Sequence, residues 1–225
     1  MIPTIIKTSD GSHSLYSAEL NEHYHSIYGA IQESNHVFIN AGFKKINSEN
    51  SELFEIKILE IGLGTGLNVF LTFLESEKLN GCIRYHAIEA FPLTIDLIEK
   101  LNYVDYLTAE KYRTVFNQIH TSEWEKPTKF SDQFIFTKVD EKIQDCTLKT
   151  KFNLIYFDAF GPRVQPEMWT EEVFSKLYST LELNGYLVTY CAKGQVKRTL
   201  KKVGFSIESL PGPAGKREMI RAFKK

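Results

Sequence analysis

From residue 55 onward, short runs rich in β-branched and aromatic residues alternate with amphipathic stretches. That alternation predicts a parallel sheet joined by crossover helices. The runs Ile56 to Ile61, Ile83 to Glu89, Phe134 to Val139, Phe152 to Asp158 and Tyr186 to Cys191 read as strands, and 67–78, 92–100, 106–118, 171–181 and 195–203 as helices. Thr170 is placed to cap the helix that follows it, with Glu171 and Glu172 complementing its dipole. Two last runs, Phe205 to Leu210 and Glu218 to Phe223, are joined through Pro211-Gly212-Pro213-Ala214-Gly215, too short for a crossover helix, so they are expected to pair antiparallel. The expected fold class is α/β: a Rossmann-like, seven-stranded, mostly parallel sheet ending in an antiparallel hairpin. Residues 1–45 break the pattern, with an Asp10-Gly11 turn between short strands and then a His/Tyr-rich segment over 21–38. They read as an extension packed on a catalytic domain spanning 46–225.

Composition narrows the class. With 225 residues and 43% hydrophobic content, the chain is long enough for one domain with a real core. No apolar run approaches the roughly 20 residues needed to span a bilayer, and the first residues, MIPTIIKTSDGS, are too polar for a secretory signal, so a cytoplasmic protein is expected. Cys82, Cys146 and Cys191 stand far apart and outside any CxxC pair, which indicates neither a disulfide framework nor a zinc knuckle. His13, His23, His25 and His36 lie within 24 residues of one another, but no spacing matches a zinc site, and no metal is expected.

Charge changes the picture more. The net charge of −1 conceals a split: residues 193–225 carry ten Lys/Arg against two acids, +8, which leaves −9 for the remainder. Such a chain can hold a polyanion on one face and repel it elsewhere. A solvated helix face with a charged tail accounts for the same pattern.

The candidate chemistry lies at strand ends. Glu60-Ile61-Gly62-Leu63-Gly64-Thr65-Gly66-Leu67-Asn68 ends a strand and opens a helix, where glycines let backbone approach a ligand. A dinucleotide fingerprint would want glycine at position 67, which is Leu67. The spacing resembles the first motif of S-adenosylmethionine-dependent methyltransferases, in which Glu60 would reach the ammonium of the ligand and Glu89, at the next strand end, both ribose hydroxyls. Asp140 stands either beside the adenine amino group or as an ordinary loop acid. Asp158 ends a central strand, and an enzyme methylating an amine needs a fixed negative group where ammonium forms. Phe160 and Trp169 are candidate walls for that pocket, with Trp169 equally readable as core.

Taken together, these residues resemble the methyltransferase domain of the MnmC-type tRNA 5-methylaminomethyl-2-thiouridine biosynthesis family, in its fused or free-standing form. The resemblance covers nearly the whole chain and rests on Asp10-Gly11-Ser12 with Tyr16, Glu33-Ser34 with His36-Val37-Phe38, the glycine motif, Phe157 to Pro162, Pro166 to Trp169, and Gly215 to Met219. It implies methyl transfer from S-adenosylmethionine to the aminomethyl nitrogen at carbon 5 of the wobble (2-thio)uridine. It implies Asp158 as the catalytic residue, and Glu60, Gly62, Gly64, Gly66, Asn68, Glu89 and Asp140 around the cosubstrate. Phe160, Pro162, Trp169, Lys197, Arg198, Lys201, Lys216 and Arg217 would then face a tRNA anticodon stem-loop. In the fused enzymes a flavin-dependent oxidase domain prepares the amine; this sequence shows none, so upstream wobble-uridine enzymes are expected to supply the substrate. Two other functions fit part of the pattern: a polyamine aminopropyltransferase, and a non-catalytic RNA-binding module.

Overall fold

The computed structural model describes residues 2–49, 55–79 and 81–225. Near the N-terminus, β1 (Thr4–Lys7), β2 (His13–Ser17) and β3 (Glu22–His23) form a small antiparallel sheet. A helical run follows through α1 (Ala30–Ser34), a π-helical stretch over Asn35–Phe43, and α2 (Lys44–Glu49). The main sheet is then built from β4 (Glu55–Ile61), β5 (Cys82–Ile88), β6 (Thr128–Ser131), β7 (Phe134–Val139), β8 (Phe152–Phe157), β9 (Leu181–Thr189), β10 (Ser206–Pro211) and β11 (Glu218–Phe223). Between these strands run α3 (Leu67–Ser76), α4 (Ile95–Ile98), α5 (Tyr103–Tyr106), α6 (Arg113–Thr121), α7 (Glu171–Thr180) and α8 (Gly194–Val203).

The strand order is β10-β11-β9-β8-β4-β5-β7-β6. Strands β4, β5, β7, β8 and β9 run parallel, while β11 is antiparallel to both β9 and β10. All seven expected strands are present, and β6 joins antiparallel to β7 as an eighth. It is a short edge strand, Thr-Lys-Phe-Ser, with too few apolar positions to register as an alternating run. The chain leaves β4 toward β5 and β7 on one side and returns to β8 on the other. In such sheets the crevice at the carboxyl ends of the strands where order reverses is where ligands bind.

Alternate side chains of each strand feed two cores. Ile58, Tyr85, Phe134, Phe136 and Tyr156 pack on one face with α3 and the N-terminal helical run, including Ile31, Val37 and Phe38. Leu59, Ile61, Ile155, Phe157 and Leu187 pack on the other with Phe174 and Leu177 of α7 and Val196 and Leu200 of α8. Burial on both faces is what forces these parallel strands to read as near-continuous apolar runs. The N-terminal helix lies close on the sheet: a Cβ built at Gly42 would stand 3.1 Å from both Tyr156 and Val188. Among the described residues no helix is long and apolar enough to cross a membrane.

Two expected helices are shorter than their pattern. Pro92 has no N–H to donate and Thr94 is extended, so 92–100 yields only α4. Thr108, at φ +51°, breaks 106–118 into the end of α5, a 3-10 turn and α6. By contrast α7 starts at its expected cap, where the Thr170 hydroxyl accepts the Val173 N–H at 3.3 Å. Thr170→Ala is expected to cost about 1 kcal/mol of stability in urea denaturation, the usual loss for a removed N-cap.

Candidate active site

A cavity of about 450 Å³ opens at the carboxyl ends of β4, β5, β7 and β8. It is bordered by Gly62 and Gly64 after β4, Glu89 and Phe91 after β5, Ile143 after β7, and Asp158 and Phe160 after β8. Tyr24, His25 and Tyr190 close it from the side of the N-terminal segment and β9.

The three glycines answer to three different neighbours. At Gly62 (φ +89°) a Cβ would lie 2.9 Å from the Asp158 carbonyl oxygen, because the tips of β4 and β8 meet there. Asp158 N–H also donates to Ile61 at that point, at 3.0 Å. Gly66 (φ +73°) faces away from the cavity, with His120 Nε2 only 2.7 Å from its would-be Cβ. Gly64 borders the cavity and donates its N–H to Glu89 Oε2 at 2.9 Å. Glu89 Oε1 accepts the Phe91 N–H at 2.8 Å, so the carboxylate is held by backbone on both oxygens at the strand tip. Ile88, Ala90, Phe91 and Ile143 form apolar wall beside it. A rigid acceptor next to an apolar slot suits a nucleoside: vicinal hydroxyls on the carboxylate and a flat base against the aliphatic walls.

At the other end of the cavity carboxylates are crowded together. Asn68 Nδ2 donates to Glu60 Oε1 and to Asp158 Oδ2, both at 2.9 Å, so one amide bridges two acids. Glu60 is completely buried, does not border the cavity, and leaves Oε2 without a hydrogen-bond partner. Burial, with the nearby Asp158 and Glu89 charges, holds its carboxyl well above the ordinary range. Asp158 does border the cavity, and its pKa is pushed up to about 7. Burial is the main cause; the negative charge of Glu33 adds to it, while the Asn68 hydrogen bond and the Lys216 cation oppose it.

Glu33 and Lys216 form an ion pair across the sequence, and the Lys216 ammonium also sits 4.2 Å from the centre of the Tyr190 ring. Glu33 is itself buried and accepts the Ser26 N–H at 2.9 Å. This pair sets the field at Asp158. Lys216→Met is expected to move the acid limb of the pH–rate profile to higher pH, and Glu33→Gln to lower pH. Opposite displacements separate an electrostatic role from simple destabilisation, and initial rates between pH 5 and 9 read them directly.

The aromatic walls divide by burial. Phe160 borders the cavity edge-on to Tyr24, with ring centres 5.0 Å apart. Trp169 lies in the second core, where its indole N–H donates to the Phe160 carbonyl at 2.7 Å, so it braces the wall from behind. Pro162 sits in the turn beyond Phe160 without bordering the cavity, and Gln165 Oε1 accepts the Phe160 N–H at 3.1 Å. Asp140 is exposed outside the cavity, which its neighbour Glu141 borders instead. His25 is held neutral, its pKa pushed down to about 4 by burial, with Nε2 at 2.8 Å from Thr65 Oγ1.

The basic segment is partly engaged within the protein. Lys197 pairs with Glu218 at 2.5 Å and Lys216 with Glu33, whereas Arg198, Lys201 and Arg217 are exposed. Sequence reasoning left Tyr190 and Phe91 unassigned. Phe91 sits just past the strand expected to end at Glu89, and Tyr190 within the run expected over Tyr186 to Cys191, just past the end of β9, which was the available signal.

Comparison with known proteins agrees with this geometry. A model of the S-adenosyl-L-methionine-dependent methyltransferase family matches residues 101–225. The tRNA 5-methylaminomethyl-2-thiouridine biosynthesis bifunctional protein MnmC of Campylobacter hominis is 27% identical over 217 residues, covering 93% of this chain and 31% of that protein. Its counterpart from Leptospira borgpetersenii is 28% identical over 224 residues, covering 91% and 32%. The chain thus spans about a third of the length of these relatives. The crystal structure of MNMC2 from Aquifex aeolicus superposes with a TM-score of 0.82 at 24% identity, covering 99% of this chain and 70% of that one. These matches bear out the resemblance to the MnmC-type methyltransferase domain. With the family model spanning more than half of its residues, and with a cavity bordered by Gly64 and Glu89 at the switch point of its sheet, the chain belongs to the S-adenosyl-L-methionine-dependent methyltransferases.

Proposed function

We propose that this chain methylates the primary amine of the 5-aminomethyl group on the wobble (2-thio)uridine of tRNA, giving 5-methylaminomethyl-(2-thio)uridine. The observation that carries the reading is Asp158: a half-buried carboxylate with a raised pKa at one end of the cavity, opposite the backbone-anchored Glu89. The names of the relatives support the choice of tRNA as substrate.

In this reading S-adenosylmethionine supplies an electrophilic methyl group. Glu89 accepts hydrogen bonds from both ribose hydroxyls, the apolar slot beside Ile143 takes the adenine, and the turn at 62–64 passes close to the amino-acid end. Glu60 and Asn68 act from behind, since they border no part of the cavity; their contribution is to fix Asp158. Asp158 accepts hydrogen bonds from the incoming amine and aligns its lone pair. As the nitrogen–carbon bond forms and the sulfur–carbon bond breaks, positive charge moves onto nitrogen, and Asp158 stabilises it and takes the surplus proton. Phe160, Tyr24 and Tyr190 exclude water from the amine, which favours its neutral form. The amine is made by the preceding wobble-uridine modification steps, and exposed cations on the last 33 residues meet the anticodon stem-loop phosphates.

The test is labelled S-adenosylmethionine with tRNA carrying an unmethylated 5-aminomethyluridine. Label recovered as 5-methylaminomethyluridine supports the reading. Label absent from tRNA overturns it, and so does aminopropyl transfer from the decarboxylated cosubstrate to putrescine.

A further inference from the structure

Four residues beyond Tyr24, the chain presents an aromatic ring outside the cavity. Tyr28 is 50% exposed, although the turn that carries it is firmly held. Ser9 donates its N–H to the Ile27 carbonyl at 2.8 Å, Gly29 donates to Ser26 at 3.1 Å, and Ser26 donates to buried Glu33. The ring is backed by bare backbone: a Cβ built at Gly215 would stand 2.1 Å from Tyr28 Cε2, and Gly215 adopts φ +81°. Any side chain at 215 would displace the ring. A glycine here therefore keeps an aromatic surface in one orientation while leaving much of it open to solvent.

Exposed cations stand in the hairpin turn that braces the ring and around the start of α8. Arg217 is exposed in the same turn, whose Gly212 N–H donates to the Arg217 carbonyl. Lys193, the N-cap of α8, and Arg198, in its second turn, are exposed on the segment that follows Tyr190 at the cavity wall. None of these three forms an ion pair among the described residues, in contrast to Lys197 and Lys216. The fixed ring thus abuts a hairpin turn that carries an exposed cation, and lies three residues beyond His25 at the cavity. Stacking on an aromatic face with phosphates held by neighbouring cations is how proteins bind splayed-out bases of single-stranded nucleic acid.

We propose that Tyr28, braced by Gly215 and with exposed Arg217 in the same turn, is a stacking platform for an unpaired base of the RNA loop adjacent to the nucleotide that enters the cavity. This rests on the reading of the cavity as a tRNA methyltransferase site. A base stacked there would be oriented by its π-face and not by its hydrogen-bonding edge, so the platform accepts any base and serves to hold the loop open.

The experiment compares wild type, Tyr28→Ala, Tyr28→Trp and Arg217→Ala, using tRNA with an unmethylated 5-aminomethyluridine. Tyr28→Ala is expected to raise KM for tRNA roughly 5- to 150-fold, the range for losing one base stack. Its affinity for S-adenosylhomocysteine and the salt dependence of tRNA binding stay at wild-type values, and Tyr28→Trp retains activity. Arg217→Ala, in contrast, reduces the salt slope by about one. A wild-type KM in Tyr28→Ala overturns the platform, as does a raised KM accompanied by weakened S-adenosylhomocysteine binding, which marks a folding defect. A wild-type protein that transfers no methyl to this tRNA overturns the underlying reading instead, so the two failures are distinguishable.

Discussion

Asp158→Asn is expected to lower kcat by a factor of about 10² to 10⁴, the usual contribution of a positioned proton acceptor, while S-adenosylhomocysteine binds within about threefold of wild type. The substitution keeps the shape of the side chain and its contact with Asn68 Nδ2, and removes only the charge and the basic oxygen. An aliphatic amine has a pKa near 10.4, so at pH 7 almost all of it is protonated and unable to attack. An ordinary carboxylate is a poor acceptor for that proton, lying some six units below. The Asp158 carboxyl, pushed up to about 7, is a much closer match. Wild-type kcat is therefore expected to fall on the acid side of about pH 7, and the residual rate of the variant should lack that limb.

The same substitution carries a stability prediction of the opposite sign. Asp158 has its pKa raised from 3.8 to about 7 on folding, so between those values the folded protein holds a proton that the unfolded chain releases. Stability contributed by this group is therefore lost as pH rises through that window. Asp158→Asn removes the loss, so its thermal midpoint at pH 8 should exceed that of wild type. A variant that is both inactive and less stable at pH 8 would identify Asp158 as a structural residue.

Glu89→Ala is expected to weaken S-adenosylmethionine binding by about 10² or more, read by calorimetry, with a much smaller effect on kcat at saturating cosubstrate. Hydrogen bonds to a charged acceptor contribute about 1.5–3 kcal/mol each, and two ribose hydroxyls would lose theirs together. The substitution also frees the N–H groups of Gly64 and Phe91, which Glu89 holds in the free protein. Glu89→Gln retains one acceptor oxygen and should fall between the two. The pairing of an affinity defect at 89 with a rate defect at 158 assigns the two ends of the cavity separate tasks. A change in kcat alone at 89 would reverse that assignment.

Much of the sheet was legible because strands buried on both faces must be apolar throughout, and the acids that end them stand out against that background. Glu89 and Asp158 were found this way, and both border the cavity. Glu60 shows the limit of the method. It alternates correctly with Leu59 and Ile61, but one strand cannot reveal that its side is sealed by Asn68 and the Tyr85 side of the sheet. The basic residues show a second limit. Lys197 and Lys216 looked alike in sequence to Arg198 and Arg217, yet their acidic partners lie 21 and 183 positions away. Long-range pairing leaves no local trace. The helical run over 30–49 went unseen for a related reason: Asn35, His36, Asn40 and Gly42 interrupt any amphipathic pattern, and packing on β8 and β9 stabilises a conformation that propensity disfavours.

Three contacts join residues 28–36 to residues 211–216: Tyr28 against Gly215, Glu33 with Lys216, and the His36 ring at 2.8 Å from the Pro211 carbonyl. A ribosome delivers the first of these segments long before the second. The early helical run must therefore wait on a half-built sheet, and the Asp158 end of the crevice acquires its final electrostatics only when the closing hairpin has emerged. Premature termination anywhere between residues 160 and 210 would leave a chain with Asp158 synthesised and the Glu33–Lys216 pair beside it missing.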